Sequence, residues 1–344
     1  MQIQNTTYTN KFQSIKAKRN TAGNNISFRG LKHPETKSMF VFDLDGTLAT
    51  ATTEQLETIF NKAKSCNSEI VYATGRTFKE FIKLQNKLAN KGVNLPDPNY
   101  LIANNGQFLY KNIGGVMVEN LAYQEQLQQK TNYSREVVTQ VMKDFAKSDK
   151  YRYTQAELNT LANLKEVKLS DPEFFDSRIS YYEWNPSKNM AEYFLAYDVN
   201  IDVFKKEVTE TLAKKGCKVK FRENRYSKPV MDACNKSILL QANSLRRFKD
   251  GSMNALFLCA ADKSDGIEFI RKNEDIAFCE IVMAGNDDND IPMAKLARKG
   301  AKFICLNDAS ARLVNCCKSI KENVFLALKN GAAAIIEGLD VFTS

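Results

Sequence analysis

Histidine is almost absent from this chain of 344 residues: the only one is His33, directly before Pro34. The remaining sequence therefore cannot supply the imidazole of a Ser-His-Asp triad, a Cys-His pair or a histidine-ligated zinc site. Any chemistry must use carboxylates, lysine, arginine, hydroxyl groups and metals that prefer oxygen ligands.

Long apolar runs and cysteine pairs are missing as well. No stretch approaches the roughly 20 apolar residues that span a bilayer, and no secretory signal sequence is evident. The eight cysteines are scattered without a C-x-x-C pair. This pattern favours reduced thiols in a cytoplasmic protein over a disulfide or metal framework.

The positive charge is concentrated at the amino terminus. Of the net charge of +9, residues 1–37 contribute +6, from seven Lys or Arg and one acid, which leaves +3 for the rest. This segment is predicted to be a disordered basic leader, and its composition leaves organellar targeting open. The small excess elsewhere argues against a nucleic-acid partner and suits an anionic small molecule. Neither a membrane partner nor an oligomeric state is indicated.

Apolar strands alternate with amphipathic helices over residues 38–112 and again over residues 253–344. This alternation predicts an α/β fold with a Rossmann-like parallel sheet as its core. Residues 113–252 lose the alternation and are predicted to be an inserted α/β unit, in which "CKVKFRE" has the pattern of a strand. Residues 225–252 have no assignable pattern.

Two carboxylates follow the first strand, in "VFDLDGTLAT" at residues 41–50. Asp43 and Asp45 alternate along an extended chain, so they are predicted to face one crevice at the carboxyl end of the strand. One could act as a nucleophile and the other as a proton donor and acceptor. The alternative is a surface Asp-Gly turn that closes the strand.

Further polar groups follow other apolar strands. In "VYATGRT", Thr74, Gly75 and Arg76 offer a hydroxyl, an amide and a guanidinium to an anion, although a helix cap with a turn has the same pattern. Lys263, in "AADKSDG", could balance buried carboxylates or be an ordinary surface lysine.

The loop "GNDDNDIPM", residues 285–293, crowds Asn and Asp oxygens into five positions. Hard cations such as Mg²⁺ prefer these ligands. The alternative is an Asn/Asp-rich loop with a helix cap.

In this order, the four segments resemble the motifs of the haloacid dehalogenase superfamily of phosphohydrolases. The Thr-Gly-Arg motif, "LIANNG" and the large insertion before the lysine resemble the Cof-type branch with a class II cap. Within that branch, "SRISYYEW" and "GAAAIIEGLDVF" resemble segments of the sucrose-phosphate phosphatase group. "ISYYEW" would also suit a half-buried strand of no special role.

The resemblance implies a role for each matching position. Asp43 would form an aspartyl-phosphate, Asp45 would protonate the leaving oxygen and then activate water, and Lys263 would be the third catalytic residue. The substrate contacts would be Thr74, Gly75, Arg76, Asn105 and Asn289, with Arg178, Ser180 and Tyr181 from the cap. Mg²⁺ would be bound by Asp43, Asp45, Asn286, Asp287 and Asp290. For Asn105, an Asn-Gly hairpin turn is the alternative.

One position departs from the family pattern. Its fourth motif usually opens with Gly-Asp, whereas this chain has Gly285-Asn286. An Asn carbonyl can still bind Mg²⁺ but carries no charge. The expected activity is a Mg²⁺-dependent phosphatase acting on a small sugar or polyol phosphate, with the insertion as a lid. The alternatives are a phosphotransferase or phosphosugar mutase of the same superfamily, or a catalytically weak phosphosugar-binding protein.

Overall fold

The computed structural model describes residues 36–162, 176–181, 188–226 and 248–343. The predicted leader up to residue 35, and residues 227–247 of the unassigned segment, lie outside this part of the chain. Within it, the strands form one sheet of eight and one sheet of four. No helix in the described ranges is long and apolar enough to cross a membrane.

Strands and helices alternate through much of the described chain. The strands are β1 (Ser38–Phe42), β2 (Ser68–Ala73), β3 (Tyr100–Ala103), β4 (Phe108–Ile113), β5 (Val116–Glu119), β6 (Ile179–Tyr181), β7 (Met190–Leu195), β8 (Lys220–Tyr226), β9 (Met253–Cys259), β10 (Ile281–Gly285), β11 (Lys302–Cys305) and β12 (Val324–Leu326). The helices are α1 (Thr53–Ser65), α2 (Phe78–Ala89), α3 (Leu121–Thr131), α4 (Arg135–Lys147), α5 (Gln155–Ala162), α6 (Ile201–Lys214), α7 (Lys263–Asn273), α8 (Ile291–Lys295), α9 (Ala311–Ile320) and α10 (Gly331–Phe342).

The eight-stranded sheet has the order β12-β11-β10-β1-β2-β3-β4-β5. The strands from β12 to β3 pair in parallel, and β4 and β5 add an antiparallel hairpin at one edge. All five residues of β1 are buried, because helices cover both faces of the sheet. The predicted α/β fold with a parallel core sheet is confirmed, and β1 lies between the strands that carry the second and fourth motifs.

Side chains fix where several helices begin. The side chains of Thr52 and Thr77 each accept the N–H of the residue three positions on. The side chain of that residue in turn accepts the backbone N–H of the threonine. Asp262 forms the same reciprocal pair with Asp265 at the start of α7. These capping boxes satisfy N–H groups that a helix leaves unpaired at its first turn. Lys263 is thereby fixed as the first residue of α7.

The four-stranded sheet has the order β6-β7-β9-β8 and is antiparallel. Its residues Tyr193 and Leu256 pack on α4 through Val138 and on α6 through Phe204. We call residues 132–260 the cap, and the eight-stranded sheet with its helices the core.

The predicted boundaries of the insertion are wrong at both ends. Met253–Cys259 was expected in the core, but this strand pairs with β7 and β8 in the cap sheet. At the other end, β5 completes the core sheet, and Tyr123 and Leu127 of α3 pack in the core cluster. The apolar run at 253–259 is buried on both faces, and such a run has no periodicity to indicate which sheet it joins.

Candidate active site

Asp43 is the first residue after β1 and is almost fully buried, at 4% exposure. Its backbone N–H donates to the carbonyl of Ala284 (3.0 Å), which continues the pairing with β10 past the end of the strand. Burial raises the pKa of the Asp43 carboxyl to about 7, against the opposing effect of the Lys263 charge. A carboxylate in this position requires a nearby cation to remain ionised.

Lys263 supplies that cation. Its Nζ donates to Asp43 Oδ1 (2.7 Å) and to Asp290 Oδ1 (2.6 Å), and its side chain has no exposed surface. Burial by itself would lower the pKa of Lys263, but the charges of Asp290 and Asp43 outweigh it and the pKa is raised. Two carboxyl groups therefore share one buried ammonium.

Asp45 has different surroundings from Asp43. The strand ends at Phe42, and the chain then turns at Gly46, whose φ is +74°. Asp45 is exposed and accepts Nε (2.9 Å) and a terminal nitrogen (2.6 Å) of Arg76. Strand alternation therefore does not place the two carboxylates, because both follow the end of β1; Asp43 is buried beside Lys263, whereas Asp45 is exposed beside Arg76.

The segment after β2 brings Thr74 and Gly75 to the same edge of the sheet. Thr74 is fully buried, and its Oγ accepts the N–H of Arg76 (3.1 Å). The first turn of α2 is closed by its own capping box, in which Glu80 accepts the N–H of Thr77 (2.9 Å). The anion-binding groups left at this edge are the Thr74 hydroxyl and the Gly75 amide.

Asn105 and Asn289 form a contact next to Gly75. Asn289 Nδ2 donates to Asn105 Oδ1 (3.0 Å), which leaves a buried donor, Asn105 Nδ2, and a buried acceptor, Asn289 Oδ1, without partners among the described residues. The turn Asn104–Gly106 has three residues with positive φ. A side chain at Gly106 would overlap the carbonyl of Asp262, so this turn packs directly against the start of α7.

The loop after β10 is organised around Asp290, which is fully buried. Its Oδ2 accepts the backbone N–H groups of Asn286 (2.9 Å) and Asp287 (3.1 Å), while Oδ1 binds Lys263. Asp287 is exposed and accepts the N–H of Asp288 (2.7 Å). Both oxygens of Asp290 are thus engaged in hydrogen bonds, and Asp287 caps the following 3₁₀ turn.

The comparisons with known proteins agree with this arrangement. A family model for haloacid dehalogenase-like hydrolases matches residues 40–324. The chain belongs to the haloacid dehalogenase-like hydrolases. The family predicted from the motif order is confirmed.

Solved structures share the fold at low sequence identity. This hydrolase is similar to the sucrose-phosphatase of Synechocystis sp. PCC6803, whose X-ray structure contains sucrose and phosphate, with a TM-score of 0.55, 16% identity and coverage of 89% of this chain and 98% of that one. It is also similar to YhjK, a haloacid dehalogenase-like hydrolase protein of Bacillus subtilis, with a TM-score of 0.50, 12% identity and coverage of 89% and 92%. None of the curated proteins compared with the chain matches it.

The oxygen donors around the Asp45–Gly46 turn of this hydrolase are of the chemical types that bind a magnesium ion. Asn286 packs against Gly46, where any side chain would overlap its amide, and its Oδ1 accepts from Thr47 Oγ1 (3.2 Å). The turn therefore brings the Asn286 amide oxygen, the Asp45 carbonyl and the Asp43 carboxylate to one edge of the sheet. Among the described residues, no three His, Cys, Asp or Glu side chains cluster as a metal site. Two of these three donors are uncharged amide oxygens, which are common ligands for hard cations.

Two of the three cap residues predicted to contact substrate, Arg178 and Tyr181, are engaged within the cap. Arg178 bonds Asp198 (2.8 Å) and Glu157 (2.5 Å) within the cap, and Tyr181 packs with the helix-facing cluster of the cap. Ser180 is buried on the opposite face, in register with Phe194 of β7. Because alternate residues of a strand face opposite sides, the short match "SRISYY" could not specify which side chains reach the core.

A cleft between β8 and the core contains residues that the sequence analysis missed. It has a volume of about 470 Å³ and is bounded by Asn105 and Asn289 of the core and by Lys220, Arg222 and Glu223 of the cap. The available signal was the basic alternation in "CKVKFRENR", which places the side chains of positions 220 and 222 on one face of the strand.

Proposed function

We propose that this chain is a phosphomonoesterase that hydrolyses a small sugar or polyol phosphate with Mg²⁺ bound, through an aspartyl-phosphate on Asp43. The observation that carries the proposal is the buried Lys263, which bonds both Asp43 and Asp290. A carboxylate stabilised in this way can attack phosphorus, and the adjacent ammonium offsets the charge that gathers on the phosphoryl oxygens.

In the first step, an oxygen of Asp43 attacks phosphorus and the bond to the leaving oxygen breaks. Asp45 gives its proton to that oxygen after its side chain rotates away from Arg76, its partner in the free protein. Thr74 and the Gly75 amide hold the phosphoryl oxygens. Alignment and charge neutralisation account for most of the catalysis of phosphoryl transfer, and these groups supply both.

In the second step, Asp45 removes a proton from water, which attacks phosphorus and releases Asp43 and inorganic phosphate. Mg²⁺ would be held by the Asp43 carboxylate, the Asp45 carbonyl and the Asn286 amide oxygen, and it supplies further positive charge for the phosphoryl oxygens. Asp290 and Asp287 are assigned to positioning the loop, because their carboxylates accept hydrogen bonds within it.

The buried, unpaired amide groups of Asn105 and Asn289 support an organic substrate with hydroxyl groups, since a hydroxyl can both donate and accept. The seven cysteines among the described residues are free thiols, in keeping with the proposed cytoplasmic location. The uncharged Asn286 favours a second candidate function, a phosphosugar-binding protein with little turnover.

The test is release of phosphate by the full chain from a panel of phosphomonoesters, with Mg²⁺ and with EDTA. Mg²⁺-dependent release is expected, with at least a 1,000-fold loss in Asp43→Asn because the nucleophile is removed. Near-ultraviolet circular dichroism should show that the variant is folded. Equal turnover by the variant would refute the assignment of Asp43. Binding without turnover for every metal tried would favour the binding protein, and transfer of phosphate to added sugar would favour a mutase or phosphotransferase.

A further inference from the structure

The charges that line the cleft are not balanced. Five basic and three acidic side chains face it: Lys205, Lys220, Arg222, Lys295, Arg312, Glu223, Asp262 and Asp288. Each acid is paired with a base: Glu223 with Lys205 (2.5 Å), Asp262 with Lys220 (2.8 Å) and Asp288 with Arg312 (3.1 Å). Two cations of the lining, Arg222 and Lys295, form no ion pair with any residue that the structure describes.

Arg222 is held in place by an aromatic ring and forms no ion pair within the described part of the chain. Its guanidinium lies over the ring of Phe257, 3.7 Å from the centroid, and its Nε is buried with no hydrogen-bond acceptor in the described ranges. Glu192 lies across Phe257 from Arg222 in the strand register; the two charges interact, but the side chains form no ion pair. Stacking on a ring leaves the edge of a guanidinium free for a bidentate acceptor, and leaving such a group unpaired is costly.

Lys295 faces the same cleft from the core, at the end of α8. It is exposed and forms no ion pair with any residue in the described part of the chain. The two unpaired cations thus come from opposite walls, one from the cap and one from the core.

The cleft opens from the candidate active site. Asn105 and Asn289 line the cleft and contact the Gly75 segment and each other, and Asp262 precedes Lys263 directly. A volume of about 470 Å³ holds a sugar-sized molecule. A substrate whose phosphoryl group lies at Asp43 would therefore extend its other end between the two walls.

We propose that the substrate carries a second anionic group, a carboxylate or a second phosphate, which Arg222 and Lys295 bind from the two sides of the cleft. This inference rests on the proposed function, since it takes the phosphoryl group to be bound beside Asp43 and Lys263. The paired bases of the lining are already neutralised, so Arg222 and Lys295 are the residues that select for the second charge.

The experiment compares ligands that differ by one anionic group. Glucose 6-phosphate is paired with 6-phosphogluconate for the carboxylate arm, and fructose 6-phosphate with fructose 1,6-bisphosphate for the phosphate arm. Binding is measured by calorimetry on Asp43→Asn with Mg²⁺, and kcat/KM is measured on the enzyme with Asp43 intact. In at least one pair, the member with two anionic groups is expected to bind about 10- to 100-fold more tightly than its partner. This is the range of one charge-assisted contact.

Arg222→Gln and Lys295→Gln should each remove most of that preference. Binding of the member with a single anionic group should stay within about threefold of its value in the unsubstituted protein. Arg222→Lys should restore part of it. Lys206→Gln is the control, since Lys206 is exposed on α6 and does not line the cleft. Equal binding of both members in both pairs overturns the inference, as does a preference that survives both Gln variants. An intact preference with no phosphate released from any ligand would overturn the proposed function and support the second anionic group.

Discussion

Replacing Lys263 by Met tests whether the buried ammonium offsets the free-energy cost of burying the two carboxylates, Asp43 and Asp290. Met has a similar length and a similar helix propensity, so the substitution removes the charge with little change in shape. Both ion pairs, at 2.7 and 2.6 Å, are lost together. Breaking a buried pair from one side typically costs about 3–5 kcal/mol, because a buried charge is left uncompensated.

The cost should depend on pH. Lys263 lowers the pKa of Asp43, so in the variant that pKa rises above the value of about 7 in the native protein. A carboxyl whose folded pKa is raised destabilises the folded state progressively as pH increases from its unfolded value towards its folded value. The loss in free energy of unfolding is therefore expected to be about 3–5 kcal/mol at pH 8 and clearly smaller at pH 5.

The assay is urea unfolding at both pH values, in EDTA so that no divalent cation replaces the ammonium. Lys272→Met is the matched control, because Lys272 is exposed near the end of the same helix and should change stability by less than about 0.5 kcal/mol. A loss below about 1 kcal/mol at pH 8, or an equal loss at pH 5, would contradict the electrostatic account.

Two further predictions concern single carboxyl groups. Asn286→Asp adds a charge where the family usually has one, so it should lower the Mg²⁺ concentration for half-maximal phosphate release about 10-fold; an unchanged value would remove Asn286 from the ligands. Burial raises the pKa of Glu192 to about 7, so the free energy of unfolding of the wild type, relative to Glu192→Gln, should fall by about 3 kcal/mol from pH 4.5 to 8. Urea unfolding of both proteins measures this difference, and a difference that does not change with pH would contradict the prediction.

The motifs were predictable because each follows an apolar strand, and parallel strands end at one edge of a sheet. The strand order puts β1 between β10 and β2, so the segments at Asp43, Thr74 and Asp290 meet although they are far apart in sequence. Lys263 could be expected among them only from the resemblance, since nothing in a lone lysine before a helix indicates that its side chain is buried. Its place between two carboxylates is set by tertiary packing.

The remaining errors arise where local pattern does not determine the partner. The run at 253–259 is apolar whichever sheet it joins, and Asp45 follows a strand that ends three residues before it, at Phe42. The unpaired Arg222 could not be recognised from sequence, because a basic residue on a strand is usually solvated. Only the neighbouring ion pairs in the cleft show that Arg222 has no ion-pair partner in the described part of the chain.

The connection between β9 and the helix that begins with Lys263 is three residues long, 260–262. A connection of this length allows little independent movement of the two elements. Lys220 of the cap also forms ion pairs with Asp262 in the connection and with Asp265 in the helix. We therefore expect a rotation of the cap to displace the start of the helix that carries Lys263. Opening of the cleft for product release would then also weaken the ion pair of Lys263 with Asp43.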